Sequence, residues 1–317
     1  MSHLSELRRF RKIAIAALAQ YPLSNIRIDF IDYAENAVYK ITTREGIFLL
    51  RIHANHSKTA EAIGQELQYI ILLREDGFDL QKPLKSLNGE YIVHIDDKMI
   101  SVLSWQIGTK KFKSITDRHF ELLGSYMAKI HSFSIKNKRK IVTSQREYWM
   151  PDNLVGSRTI FGSFAGLENI QGFDKPVFEA ARLQTLSRLQ KHYDESPEKF
   201  GMIHADLHFN NILWQGENLL PIDFDDCGIG SYLHDLSIPI VTTNSQKPKQ
   251  NRDILLNTYG KTHSLTQADI DLIDDYILSR HISNQAWLLM RSNHPKIKKY
   301  HIQTMEGTMK VLKAGLK

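Results

Sequence analysis

Residues 203–214 read Ile203-His204-Ala205-Asp206-Leu207-His208-Phe209-Asn210-Asn211-Ile212-Leu213-Trp214, and after Gln215-Gly216-Glu217-Asn218 the chain continues Leu219-Leu220-Pro221-Ile222-Asp223. Two short apolar runs around a Gly/Asn turn predict a β-hairpin. Such a hairpin returns Asp223, just after its second strand, to the side of Asn211, just before its first. An amide oxygen beside a carboxylate suits a hard divalent cation such as Mg²⁺, which takes oxygen ligands and keeps waters that a phosphate can replace. Asp206, five residues before Asn211, adds a second carboxylate on the same loop. Either residue alone could merely cap a turn through its side chain. The joint spacing favours phosphoryl transfer, which needs a metal held against phosphates and a carboxylate to orient the attacking hydroxyl.

The pattern His-x-Asp-x-x-x-x-Asn followed by Ile-Asp-Phe matches the catalytic and metal-binding loops of kinase-like folds. More specifically, residues 204–213 together with Ile222-Asp223-Phe224-Asp225-Asp226 resemble the signature of the aminoglycoside phosphotransferase and choline kinase superfamily, which shares the protein-kinase fold. The resemblance implies Asp206 as catalytic base and Asn211 and Asp223 as Mg²⁺ ligands. It also implies that His204 supports the loop, and that Asp235 holds the loop backbone from below. Only eleven residues separate Asp223 from Asp235, where protein kinases carry a long peptide-docking segment, so a small-molecule acceptor is expected.

Upstream, residues 26–31, 38–42 and 47–52 are β-rich runs, the last two joined by the turn Thr43-Arg44-Glu45-Gly46. The connection Asp32-Tyr33-Ala34-Glu35-Asn36-Ala37 lacks glycine, so a phosphate lid here would work through Glu35 and Asn36 or ordinary backbone. Arg51 interrupts the third run, and a cation on a half-buried strand needs an anionic partner. Glu66 supplies one, because it falls inside the apolar stripe Ala60, Ile63, Leu67, Ile70, Ile71 of the next helix. The pair suggests the strand cation and helix glutamate that position nucleotide phosphates in kinases, with Arg for Lys; a purely structural ion pair is the alternative. Strands at 77–103 complete a small, mostly antiparallel sheet with one helix. Residues 104–108, Ser104-Trp105-Gln106-Ile107-Gly108, follow, and the resemblance makes them a hinge in which Ser104, Trp105 and Gln106 receive the adenine.

Downstream the pattern is helical. Phe120, Leu123, Met127 and Ile130 stripe a helix ending near His131, with Gly124 allowing close approach of a neighbour. Residues 148–172 show few clear periods and are expected to shape the acceptor pocket. A helix over 177–192 leads into the loop, 246–250 is expected as a flexible loop, and helices over 266–290 and 299–316 close the chain, the first opened by the capping pattern Thr266-Gln267-Ala268-Asp269. Asp274, Arg280 and Trp287 are candidates for acceptor contact, although each is also readable as an exposed charge or a core aromatic. Asp225 and Asp226 would make the site acidic and favour an amine-bearing acceptor.

Composition is that of an ordinary soluble globular protein, long enough for one large two-lobed domain or two domains: 317 residues, 42% hydrophobic and 24% charged. No run approaches a membrane span, the basic start predicts a surface helix over 4–19 rather than a signal peptide, and a cytoplasmic location is expected. The single cysteine, Cys227, sits beside two carboxylates that would raise a thiol pKa, so packing is its expected role. The formal charge of +6 lies largely in Lys110-Lys111-Phe112-Lys113 and residues 136–140, read as solvated loops, and no nucleic-acid partner is expected.

The expected fold is therefore α+β and protein-kinase-like, with a nucleotide-binding small lobe over 1–103, the hinge at 104–108, and a mainly helical lobe over 109–317 carrying the catalytic loop, metal site and acceptor pocket. The expected activity is ATP- and Mg²⁺-dependent transfer of the γ-phosphoryl group to a hydroxyl of an amino alcohol, hydroxy amino acid or aminoglycoside, with GTP as an alternative donor. A serine/threonine protein kinase of the same fold and a non-catalytic nucleotide-binding module are the rival readings.

Overall fold

The computed structural model describes residues 3–33, 36–54, 58–111, 115–243, 247–292 and 295–316. Glu35 of the expected lid, Phe112 and Lys113 of the first basic cluster, and Gln246 lie outside them. The chain divides into two compact units. The first comprises residues 1–109 with 139–146 and 213–225; the second comprises 110–138, 147–212 and 226–317.

In the first unit, α1 (His3–Leu18) precedes β1 (Arg27–Tyr33), β2 (Ala37–Thr42) and β3 (Ile47–His53); α2 (Ala60–Glu75) then leads to β4 (Pro83–Leu84), β5 (Ile92–Ile95) and β6 (Lys98–Ser104). The strands form one antiparallel sheet in the order β1-β2-β3-β6-β4, with β5 also on β6. Because side chains alternate along a strand, the sheet has two distinct faces. Leu50 and Ile52 of β3, with Ile100 and Val102 of β6, pack against Phe10, Ile13, Ala14 and Leu18 of α1. Each such fully buried large side chain contributes roughly 1.5–3 kcal/mol. The helix expected as a surface element is thus amphipathic, and its apolar stripe covers half the sheet. Arg51 and His53 alternate with Leu50 and Ile52, so they fall on the other face, where Glu66 of α2 bonds Arg51 and Ser101 of β6 bonds His53.

The second unit begins with α3 (Asp117–Lys136), followed by β7 (Glu147–Trp149), α4 (Pro151–Val155), β8 (Arg158–Thr159), β9 (Gly162–Ser163), α5 (Lys175–Glu195) and β10 (Phe200–Ile203). Next in this unit comes β13 (Gly228–Ser231), while β11 (Ile212–Gln215) and β12 (Asn218–Pro221), a hairpin whose turn uses Gly216 at φ 63°, belong from residue 213 onward to the first unit. The chain ends with α6 (Tyr232–Thr242), α7 (Pro248–Gly260), α8 (Gln267–Met290) and α9 (Pro295–Gly315). β13 pairs antiparallel with β10 and parallel with β7. A Cβ at Gly124 of α3 would lie 2.6 Å from the Leu255 carbonyl of α7, so glycine is what permits that approach. α3 runs past His131 to Lys136, since Phe133 and Ser134 are buried and continue the stripe. The stretch expected as a flexible loop instead starts α7 at Pro248, a residue suited to the first helical position because it lacks an N–H. Thr266 and Asp269 form the expected capping box of α8. Cys227 is buried, in keeping with a packing role, and residues 138–140 are exposed. No helix among the described residues is long and apolar enough to cross a membrane.

Two buried histidines make stability depend on pH. Burial, reinforced by the Arg51 charge, lowers His53 from 6.5 to about 3. Burial between Trp149 and Tyr276, with the Arg280 charge added, lowers His234 from 6.5 to about 3. The unfolded chain takes up these protons below about pH 6.5, whereas the folded chain resists until near pH 3. Stability should therefore fall as pH falls through that window, by up to roughly 1.4 kcal/mol per pH unit for each ring. Urea denaturation at pH 7.5 and 5.0 measures this, and equal stability at the two values would contradict neutral buried rings.

Candidate active site

In the second unit, β10 delivers the loop that carries Asp206. Ala205 sits at φ 65°, a left-handed conformation that costs a residue with a Cβ about 1–2 kcal/mol. Asp235 holds the backbone there: its Oδ1 accepts from the Ala205 amide at 2.8 Å and its Oδ2 from the His204 amide at 3.1 Å. His131 Nε2 lies 3.0 Å from the same Oδ2, and its Nδ1 lies 3.0 Å from the Tyr259 hydroxyl. Burial lowers the His131 pKa, so the neutral ring gives its one proton to Asp235 and accepts from Tyr259. Thus α3, α6 and α7 all brace the strained loop. His131 was given no role from sequence, where a lone histidine in a helical stripe carries no distinguishing signal. His204 is buried, and its Nδ1 accepts from the Asp206 amide at 3.4 Å.

The Asp206 carboxylate is surrounded by donors. Arg280 Nη2 of α8 donates to Oδ1 at 2.7 Å, Asn211 Nδ2 donates to Oδ2 at 2.9 Å, and His208 Nε2 lies 3.4 Å from Oδ2. Burial would raise this carboxyl, but the His208 hydrogen bond and the Arg280 charge outweigh it and hold the group at about 2. Arg280 is therefore no exposed charge; it is the ion-pair partner of Asp206. Asp274, by contrast, pairs with Arg252 at 3.1 Å on the surface. Trp287 is half-buried beneath the Arg291 guanidinium, 4.2 Å from the ring centre. The Asp226 carbonyl accepts from Trp149 Nε1 at 2.9 Å.

In the first unit, Arg51 Nη1 donates to Glu66 Oε1 at 2.8 Å, and its guanidinium lies 3.6 Å from Asp223 and 3.7 Å from Asp225. Burial opposes the charge on Arg51, but these three carboxylates raise its pKa beyond the ordinary value. Lys58 Nζ reaches Asp225 Oδ2 at 2.9 Å and its carbonyl at 2.6 Å, and Arg146 Nη2 donates to that carbonyl at 2.6 Å. Asp225 was expected to favour an amine-bearing acceptor. It is instead buried and neutralised by Lys58 and Arg51, which outweigh burial and depress its pKa. Asn36 Nδ2 faces the same carboxylate at 3.4 Å. Lys58 and Arg146 escape sequence reading because each is a single cation on a loop, with no period to mark its direction.

Residues 104–108, expected as a hinge, show a second departure from expectation. The Ser104 amide donates to the Lys82 carbonyl, its own carbonyl accepts from Gln81 Nε2, and the Trp105 amide donates to the Ile47 carbonyl. Both N–H groups are thus committed to the sheet, because β6 stays paired to its last residue, and Ser104 drops out as a main-chain donor for a base. Trp105 carries Lys40 Nζ over its ring at 5.1 Å, and Gln106 Nε2 donates to Asp79 at 3.1 Å. A Cβ on Gly108 would lie 2.8 Å from that of Leu213, so glycine lets the chain run against β11 here. Arg51, Leu80, Gln81, Leu103, Asp223 and Phe224 are among the residues that line a small cleft here.

Each unit, taken by itself, presents an oxygen donor whose chemistry suits magnesium. Asn211 lies in the second unit, where both its bonded N–H groups point at Asp206, leaving the amide oxygen with no protein donor among the described residues. Asp223 lies in the first unit, at φ 67° with its side chain 52% exposed, in a conformation that aspartate tolerates better than most residues. Each is an oxygen donor of the kind a hard divalent cation takes, and the described residues contain no cluster of three His, Cys, Asp or Glu that would suit a softer metal.

An antiparallel sheet with a buried strand cation paired to a helix glutamate, and a braced aspartate loop in a helical unit, is the architecture of a kinase-like phosphotransferase. The chain belongs to the phosphotransferase enzyme family, whose sequence pattern matches residues 30–264. It is 24% identical over 287 residues to amicoumacin kinase of Bacillus subtilis (strain 168), covering 86% of this chain and 82% of that one. It is also 24% identical over 185 residues to homoserine kinase of Methylobacillus glycogenes, covering 58% of this chain and 52% of that one. Among solved structures, a microcompartment-associated aminopropanol kinase superposes with a TM-score of 0.82 at 21% identity, over 96% of this chain and 99% of the other. These likenesses establish the α+β kinase-like fold and a phosphotransferase enzyme.

Proposed function

We propose that the enzyme transfers the γ-phosphoryl group of ATP, with Mg²⁺, to a hydroxyl of a small amine-bearing molecule. The observation that carries this is the Asp206 carboxylate, held ionised on a strained and braced loop by Arg280, His208 and Asn211. In this reading Asp206 orients the acceptor hydroxyl and takes its proton as the bond to phosphorus forms. A base held at about 2 is weak, which suits a loose transition state in which the hydroxyl proton leaves late. Arg51, fixed by Glu66, grips phosphate oxygens, and Asn211 and Asp223 would hold the metal. When bound, Mg²⁺ neutralises charge on those oxygens.

The amine expectation now rests on the relatives named for aminopropanol and homoserine, both amine-bearing alcohols, rather than on Asp225. The short run from Asp223 to Asp235 supports a small acceptor over a peptide. Nucleotide consumption with Mg²⁺ and ATP across amino alcohols, hydroxy amino acids, sugars and aminoglycosides tests the proposal. One acceptor should stimulate turnover in the wild type and fail to do so in Asp206→Ala. If no acceptor on the panel stimulates turnover, small-molecule transfer is wrong.

A further inference from the structure

Arg280 is a partly spent cation. Its side chain is 19% exposed, and of its five N–H donors only those on Nη2 meet a protein acceptor among the described residues, Asp206 Oδ1 at 2.7 Å. None of its nitrogens is sealed from solvent without a partner. The acidic residues that precede it on α8 are engaged elsewhere: Asp269 with Lys199, Asp271 with Gln267, Asp274 with Arg252, and Asp275 with Arg188 at 3.0 Å. Asp206 is thus the only carboxylate that Arg280 meets among the described residues, and it is itself shared with Asn211 and His208. Most of a guanidinium has been taken out of water for one charge-assisted contact, beside the oxygen that would receive the acceptor's proton. A guanidinium fork matches a carboxylate through two parallel N–H bonds. The nucleotide phosphates have a guanidinium of their own in the first unit, Arg51, so they do not account for Arg280.

We infer that Arg280 is an acceptor-recognition residue, and that the acceptor carries a carboxylate near the hydroxyl that Asp206 serves. The inference rests on the phosphotransfer reading and narrows it, from amine-bearing alcohols in general to hydroxy amino acids. In the complex Arg280 keeps its hold on Asp206 through Nη2 and offers the acceptor its remaining donors. A site built around such a contact rejects an acceptor that lacks it, because the guanidinium is then left half-used and half-desolvated.

Matched acceptors that differ only by the carboxylate provide the test: L-homoserine against 3-amino-1-propanol, L-threonine against 1-amino-2-propanol, and L-serine against ethanolamine. Initial rates with Mg²⁺ and ATP give kcat/KM for each, and calorimetry gives binding of the same compounds without ATP. For at least one pair the wild type should favour the carboxylate-bearing member by roughly 10²-fold. Arg280→Gln should collapse that ratio toward one, mainly through KM, and Arg280→Lys should restore part of it. A wild-type preference for the decarboxylated member in every pair overturns the inference. So does an equal loss on both members in Arg280→Gln, the result for a residue that only braces Asp206 or neutralises the transferred group. Binding separates the two claims. If a hydroxy amino acid binds the wild type but not Arg280→Gln, and nothing is phosphorylated, phosphotransfer has failed while the carboxylate site stands. If no compound binds, the carboxylate site is overturned.

Discussion

Asp206→Asn is expected to lower kcat by about 10³-fold while changing the affinity for ATP by less than about threefold, within the range that positioned proton-transfer groups contribute. The substitution keeps volume and leaves Asp235, His131 and Tyr259 to brace the loop, so the fold should survive. What is lost is the charge that three donors converge on. An amide presents a single acceptor oxygen and its NH₂ opposes either Arg280 or Asn211, so the acceptor hydroxyl loses both its orientation and its proton sink. Rapid-quench measurement of the first turnover, together with calorimetry of ATP binding, separates this from a general loss of structure. A variant within tenfold of wild type would remove Asp206 from the chemistry.

Arg51→Met should act on stability as well as on binding. Glu66 is fully buried and its Oε2 already lacks a partner, so removing Arg51 leaves an uncompensated carboxylate between sheet and helix, while Asp225 keeps Lys58 at 2.9 Å. Breaking a buried pair from one side costs about 3–5 kcal/mol, whereas replacing both partners by apolar groups is often neutral. The double variant Arg51→Met/Glu66→Leu should therefore recover much of the stability lost by Arg51→Met. It should not recover ATP binding, which we expect to weaken by at least about 10²-fold in both, as for loss of a charge-assisted phosphate contact. Denaturant titration and calorimetry on the two variants give both quantities. Recovery of binding along with stability would make the pair purely structural.

How far these features were readable depends on whether a local pattern encoded them. Arg51 and Glu66 were legible because each breaks an apolar period in an element whose buried face is predictable. The hairpin was legible because two apolar runs flank a Gly/Asn turn, and the capping box of α8 because it is local in sequence. Arg280 was visible only as one of several candidates, since the loop it meets lies seventy-four residues away and no spacing rule spans that distance. Lys58 and Arg146 were missed for the same reason, and their absence from the reading made Asp225 look like a free acid. The helical spacing of α1 was legible, but what its apolar stripe packs against was not, because the sheet face it covers is set by strand pairing that no local pattern encodes. Ser104 was read as a main-chain donor because a strand's last residue and the start of a connection look alike until its amide is seen bonded to the Lys82 carbonyl and its carbonyl to the Gln81 side chain.

The central claim is that the γ-phosphoryl group leaves ATP for a hydroxyl oxygen of a small acceptor. Following ³¹P resonances while the enzyme, Mg²⁺ and ATP act on the best acceptor of the panel tests it most directly. The account predicts equal growth of ADP and of a phosphomonoester signal that couples to the carbinol proton of the acceptor, with neither appearing in Asp206→Asn. Growth of ADP with inorganic phosphate alone, or of an N-phosphoryl signal in place of the ester, would contradict it.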